Sequence, residues 1–88
     1  MNLFDKINLY TDYKDSYSVK KALTTLGREF GLAVVKKNVA YAQEVINTVH
    51  KLRERLSQTI NTQGVNIKQV DRFVAYLTWK LKKDFGAV

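Results

Sequence analysis

The sequence predicts an all-α protein: a long antiparallel helical hairpin, about 32–61 and 67–85, with one or two short amino-terminal helices packed on it as a small bundle. Three observations carry this. No run of strand length alternates apolar and polar residues. The chain has no proline to interrupt a helix. Apolar residues recur at spacings of three and four along both long segments, the signature of one buried helix face. With 88 residues there is room for a single helical domain, 1–88.

Residues 3–9 suit a short helical turn whose sticky side is Leu3, Phe4 and Ile7. The polar segment 11–16 is rich in capping residues. Ser18 is the expected N-cap of the next helix, which carries Val19, Ala22, Leu23, Leu26 and Phe30 at helical spacing. Gly27 and Gly31 weaken its end, and Gly31 suits the C′ position that closes a helix. The longest element follows over 32–61. Its apolar positions Val35, Val39, Ala42, Ile46, Val49, Leu52, Leu56 and Ile60 approach the seven-residue period of intertwined helices. At about 1.5 Å per residue this is a rod of roughly 45 Å. Asn61, Thr62, Gln63 and Gly64 make a polar turn. Asn66 then caps the last helix, with Gln69 as capping-box partner and Val65 and Val70 as a hydrophobic staple. Gly86 stops it.

The last helix is the most informative element. Ile67, Val70, Val74, Leu77 and Leu81 make its buried stripe. Half a revolution away, at about 100° per residue, lie Lys68, Arg72, Tyr76, Trp79, Lys80 and Lys83. Lysines on a wet face are ordinary. The single Trp among them is not, because large exposed aromatics mark contact surfaces. On the long helix Lys37, Lys51 and Arg55 extend the basic pattern, interrupted by Glu44, while Arg53 projects toward the apolar side as an interface residue or marks where the partner helix has run out. Tyr10, Tyr13 and Tyr17 are spaced by three and four; core packing is the preferred reading, an aromatic binding strip the other.

Charge narrows the class of partner. The formal net charge is +7, and residues 1–18 hold Asp5, Asp12 and Asp15 against Lys6 and Lys14, so residues 19–88 carry +8. A basic helical body behind a near-neutral, tyrosine-rich head suits an anionic partner. There is no stretch of about 18 apolar residues to span a membrane, and the amino terminus lacks the apolar core of a signal peptide, so a cytoplasmic location is expected. The absence of cysteine excludes disulfides and thiolate chemistry.

Catalytic chemistry finds no foothold. His50, the sole histidine, has no cysteine and no carboxylate pair near it in sequence for a metal site. Asp12 and Asp15 sit among capping residues and read as turn formers. The segment 27–31 lacks the lysine and hydroxyl of a phosphate loop. No enzyme, cofactor or metal is expected. The expected function is binding of nucleic acid, DNA or RNA, through phosphate contacts and aromatic stacking, in a regulatory role. The alternative is an inhibitor or immunity-type factor docking the same face on an acidic protein. Because a last helix of roughly 28 Å is shorter than the 45 Å rod, a homodimer or higher homo-oligomer is expected, covering the end that carries Val35 and Val39.

Overall fold

Asn2 starts the first helix: its side-chain Oδ1 accepts from the Asp5 backbone N–H at 2.8 Å, supplying one of the acceptors that a helix N-terminus lacks. In the computed structural model, which describes residues 2–59 and 67–86, four helices follow in order: α1 (Leu3–Leu9), α2 (Ser16–Val35), α3 (Val39–Gln58) and α4 (Ile67–Phe85). The architecture is a small all-α bundle, as expected. The predicted 61–64 turn, the Asn66 cap, the Val65 staple and Ile60 lie outside the described residues.

The segment between α1 and α2 is held by its own side chains. Asp12 accepts from the Lys14 N–H, and the Asp12 N–H donates to Ser18 Oγ at 2.8 Å. Ser18 is therefore occupied by the turn. Asp15 caps α2 instead, accepting from the Tyr17 N–H, so the helix starts ahead of the predicted Ser18 cap. Both aspartates act as turn and cap residues.

The main departure from expectation is where α2 ends. It runs through Gly27 and Gly31 to Val35, and the rod predicted over 32–61 is divided at Lys36–Asn38. A glycine inside a helix costs only about 1 kcal/mol against alanine, which packing offsets. What ends α2 is a pair of reverse-turn hydrogen bonds. The Lys37 N–H donates to the Val34 carbonyl at 3.1 Å and the Asn38 N–H to the Ala33 carbonyl at 2.8 Å, the two bonds of a Schellman closure. Lys37, at φ 55°, occupies the left-handed position usually given to glycine. Asn38 also begins α3, its Oδ1 accepting from the Tyr41 N–H at 3.0 Å.

The corner folds α2 back on α3, and α3 then touches all three other helices. Val19, Ala22, Leu26, Phe30 and Ala33 of α2 meet Ala42, Val45, Ile46, Val49, Leu52 and Leu56 of α3 in one core with Val70 and Leu77 of α4. Leu3, Phe4 and Ile7 of α1 pack against it, as predicted. The one buried polar residue among those described, Thr48, donates its hydroxyl to the Glu44 carbonyl, so the α3 interior holds no orphaned side-chain group. Arg53 of α3 pairs with Asp71 of α4 at 2.9 Å. That contact sets the end of α3 beside the start of α4, so the two run antiparallel, as the predicted hairpin requires. Arg53 is an edge residue of this interface; the partner helix has not run out there. Gly86, at φ +59°, closes α4 in the expected way.

Two consequences correct the length argument. With 20 residues in α3 and 19 in α4 the hairpin arms match, so no uncovered half-rod calls for a second chain. Val35 and Val39, predicted as buried stripe, flank the corner in solvent, Val35 being 79% exposed.

Two substitutions test where α2 ends, and they have opposite signs under the two placements. Gly31→Ala should stabilise by about 1 kcal/mol, because residue 31 is mid-helix and a methyl group there meets no atom within 4 Å. Lys37→Gly should also stabilise by about 1 kcal/mol by relieving the left-handed lysine. Both are read as raised urea midpoints at constant slope. A helix that closed at Gly31 would lose stability with the alanine.

Candidate nucleic-acid interface

Packing fixes which way α4 faces. Val70 and Leu77 are buried, and Phe73, Val74, Leu81 and Phe85 are half-buried against the core. At about 100° per residue, the opposite arc of roughly 120° holds Lys82, Ala75, Lys68, Trp79, Arg72, Lys83 and Tyr76. All seven are exposed. Five of the six predicted residues of this helix therefore share one surface: Lys68, Arg72, Tyr76, Trp79 and Lys83. Lys82 joins them. Its signal was present in the sequence, since it lies three residues from Trp79 and two full heptads from Lys68.

Lys80 does not belong to the arc. It sits on the flank, and its Nζ lies 3.4 Å from Asp84 Oδ2 one turn on. The other flank carries Asp71, engaged with Arg53. Both acids of α4 are thus paired with cations. Exposed pairs of this kind contribute little stability, at most about 1 kcal/mol each; their effect is on the local field.

Trp79 stands at the centre of the arc and Tyr76 at its edge. Trp79 is 54% and Tyr76 50% exposed. Their centroids are 6.3 Å apart with the planes inclined by 33°. Lys83 Nζ lies over the Trp79 ring, 4.8 Å from its centroid, a cation–π contact. Exposure of half of two large rings would be wasteful for folding alone.

No protein-family model, curated protein or solved structure matches this chain.

The three cations predicted outside α4 lie elsewhere. Lys51 places its Nζ 5.4 Å from the centroid of Phe4 in α1. Arg55 is close enough to act electrostatically on Tyr13. Both serve the side of α3 that α1 covers, while α4 takes the side of Arg53. Lys37 is at the α2–α3 corner. Lys51 also borders the depression that α3 shares with Asp71 and Val74 of α4, whereas Arg55 and Lys37 do not line it.

The tyrosine cluster divides as well. Tyr10 is 83% exposed and Tyr17 is also exposed, against the preferred core reading. Tyr10 lines a cleft of about 280 Å³ between α1 and α2 with Ile7, Ala22, Lys6 and Lys21. Only Tyr13 packs against the core. Its hydroxyl donates to Asn8 Oδ1 at 2.6 Å. His50 is exposed on α3, beside a shallow depression it shares with Arg53, Glu54 and Asp71.

Burial pushes the Tyr13 hydroxyl above the usual tyrosine pKa, with the Arg55 charge pulling the other way. Tyr41 is also raised, first by burial and then by the carboxylate of Glu29. A raised tyrosine stabilises the fold while it is neutral. That contribution is whole below about pH 10, the unfolded value, and is lost as pH rises through the folded pKa. The urea midpoint should therefore fall between pH 9 and pH 11, and fall less in a Tyr13→Phe, Tyr41→Phe double variant. Equal falls in both proteins would mean these hydroxyls do not couple to folding.

Proposed function

We propose that this protein is a non-enzymatic nucleic-acid-binding protein that uses the outer arc of α4. The observation that carries the reading is the composition of that arc: Lys68, Arg72, Lys82 and Lys83 around the exposed rings of Trp79 and Tyr76, with the flanking acids paired. Lysine and arginine neutralise phosphates and release their counterions, while flat rings stack on bases. The same ring-and-arginine composition suits an acidic protein surface. The net charge of +7 favours a polyanion.

All the binding residues belong to one helix, so one chain suffices. From Lys68 to Lys83 the arc spans about 22 Å at 1.5 Å per residue. Eight positions separate α3 from α4, more than the three or four of a helix-turn-helix, so contact with phosphates rather than reading of a base sequence is its mode. A regulatory role follows from binding without chemistry.

The test is electrophoretic retardation of nucleic acid titrated with salt. Four phosphate contacts give a log–log slope of affinity on salt of about −3. Lys68→Glu with Arg72→Glu should abolish retardation with helix content unchanged, because acids in the first turns of a helix suit its dipole. Absence of retardation of any nucleic acid at 50 mM salt overturns the reading and turns the search toward an acidic protein partner.

A further inference from the structure

The ring pair bears on which nucleic acid the arc would accept, an inference that rests on the reading above. Trp79 lies between Tyr76, one turn before it, and Lys83, one turn after it. The ring centroids are 6.3 Å apart. A base inserted between two rings needs two stacking steps of about 3.4 Å each, more than the gap allows, and the inclined planes narrow it further. Lys83 Nζ covers a face of the Trp79 ring, and that face opens to a base once the lysine moves away.

We propose that α4 selects single-stranded nucleic acid, with Trp79 as the platform for an unpaired base and Lys83 as a displaceable cap that moves from the ring to a backbone phosphate when the base arrives. The exchange runs downhill at each partner. An exposed cation–π contact is weaker than a base stacked on an aromatic ring, and the released ammonium gains a charged acceptor in place of a quadrupole. Before binding, the cap covers an indole face that would otherwise be bare to water. Duplex offers no such exchange. Its base faces are already stacked on one another, and opening a step costs about as much as stacking on a ring returns. Against duplex the rings would meet only sugar and groove edges. Arg72 lies before the rings along the helix axis and Lys82 after them, so a strand whose phosphates follow the cations presents its bases to the middle of the arc.

The experiment measures fluorescence anisotropy at 50 mM salt with a labelled mixed-sequence DNA of about 12 nucleotides, within the usual span of single-strand sites, alone and annealed to its complement. The duplex carries twice the phosphates, so charge alone would favour it. The expected result is tighter binding of the single strand, with quenching of the lone tryptophan at saturation. Trp79→Ala should weaken single-strand binding about ten-fold and duplex binding little, and Trp79→Phe should retain most of the preference. Lys83→Ala should keep the quench while the salt slope falls by about one. Circular dichroism of each variant checks that the bundle is intact, and a Trp79→Ala that unfolds leaves the quench and the strand preference of the native protein to decide. Equal or tighter duplex binding, or equal weakening of both forms by Trp79→Ala, overturns the single-strand inference and leaves the phosphate reading standing. No binding of either form overturns both.

Discussion

The bundle depends on the corner at Lys36–Asn38, and within it on Asn38. Its backbone N–H closes α2 and its side chain opens α3, so one residue satisfies donors and acceptors of two helix ends that would otherwise need separate partners. The phase of the apolar residues shows why the chain must turn there. Ala33 and Ala42 are both fully buried, yet nine residues of continuous helix would set them half a revolution apart at about 100° per residue. A straight rod could bury one stripe or the other. Only a reversal brings both into one core, with α3 in the middle and its interior Leu52 and Leu56 closed on by neighbours.

That phase break was readable in the sequence and was hidden by two valines. Val35 and Val39 sit four apart and carry the α3 stripe back across the corner in an apparently unbroken pattern, although they face solvent. Periodicity reports which residues could share a face; it does not report that an asparagine has ended the helix between them. Gly31 misled for a related reason, since a glycine is a good helix end when the chain needs to turn there and only a small penalty when it does not. The Ser18 cap failed because Asp12 claims that hydroxyl from six residues away, a local contest invisible to spacing rules. By contrast α1, the α4 stripe and the Gly86 stop were legible. Each rests on interactions within a few residues of sequence.

The candidate face divides along the same line. Lys68, Arg72, Tyr76, Trp79 and Lys83 were found because helical phase alone determines them once the opposite stripe is known. Lys80 falls outside by the same phase, about 40° beyond Tyr76 on the flank, where it meets Asp84. Lys51 and Arg55 share one exposed face of α3 as the spacing indicates, but sequence gives a helix face without saying which neighbour lies beside it, and here the neighbour is α1. The near-neutral amino-terminal segment thus lies against cations of α3, while the arc cations of α4 lie on the side opposite its packed face.

The corner also governs how quickly such a chain can find its fold. Three residues join α2 to α3, so the largest interface formed early closes almost no loop, and the entropic cost of bringing its partners together is small. Helices that pack on their neighbours in sequence give low contact order, the topology of domains that fold in microseconds to milliseconds. During synthesis α2 and α3 can pair before α4 has left the ribosome, with the rest of the α3 apolar face awaiting the last helix. The segment that carries the basic, aromatic arc is therefore the one that completes the core. A chain truncated before α4 would expose its apolar interior and lack the basic, aromatic arc, so the core and that arc are completed in a single final docking event.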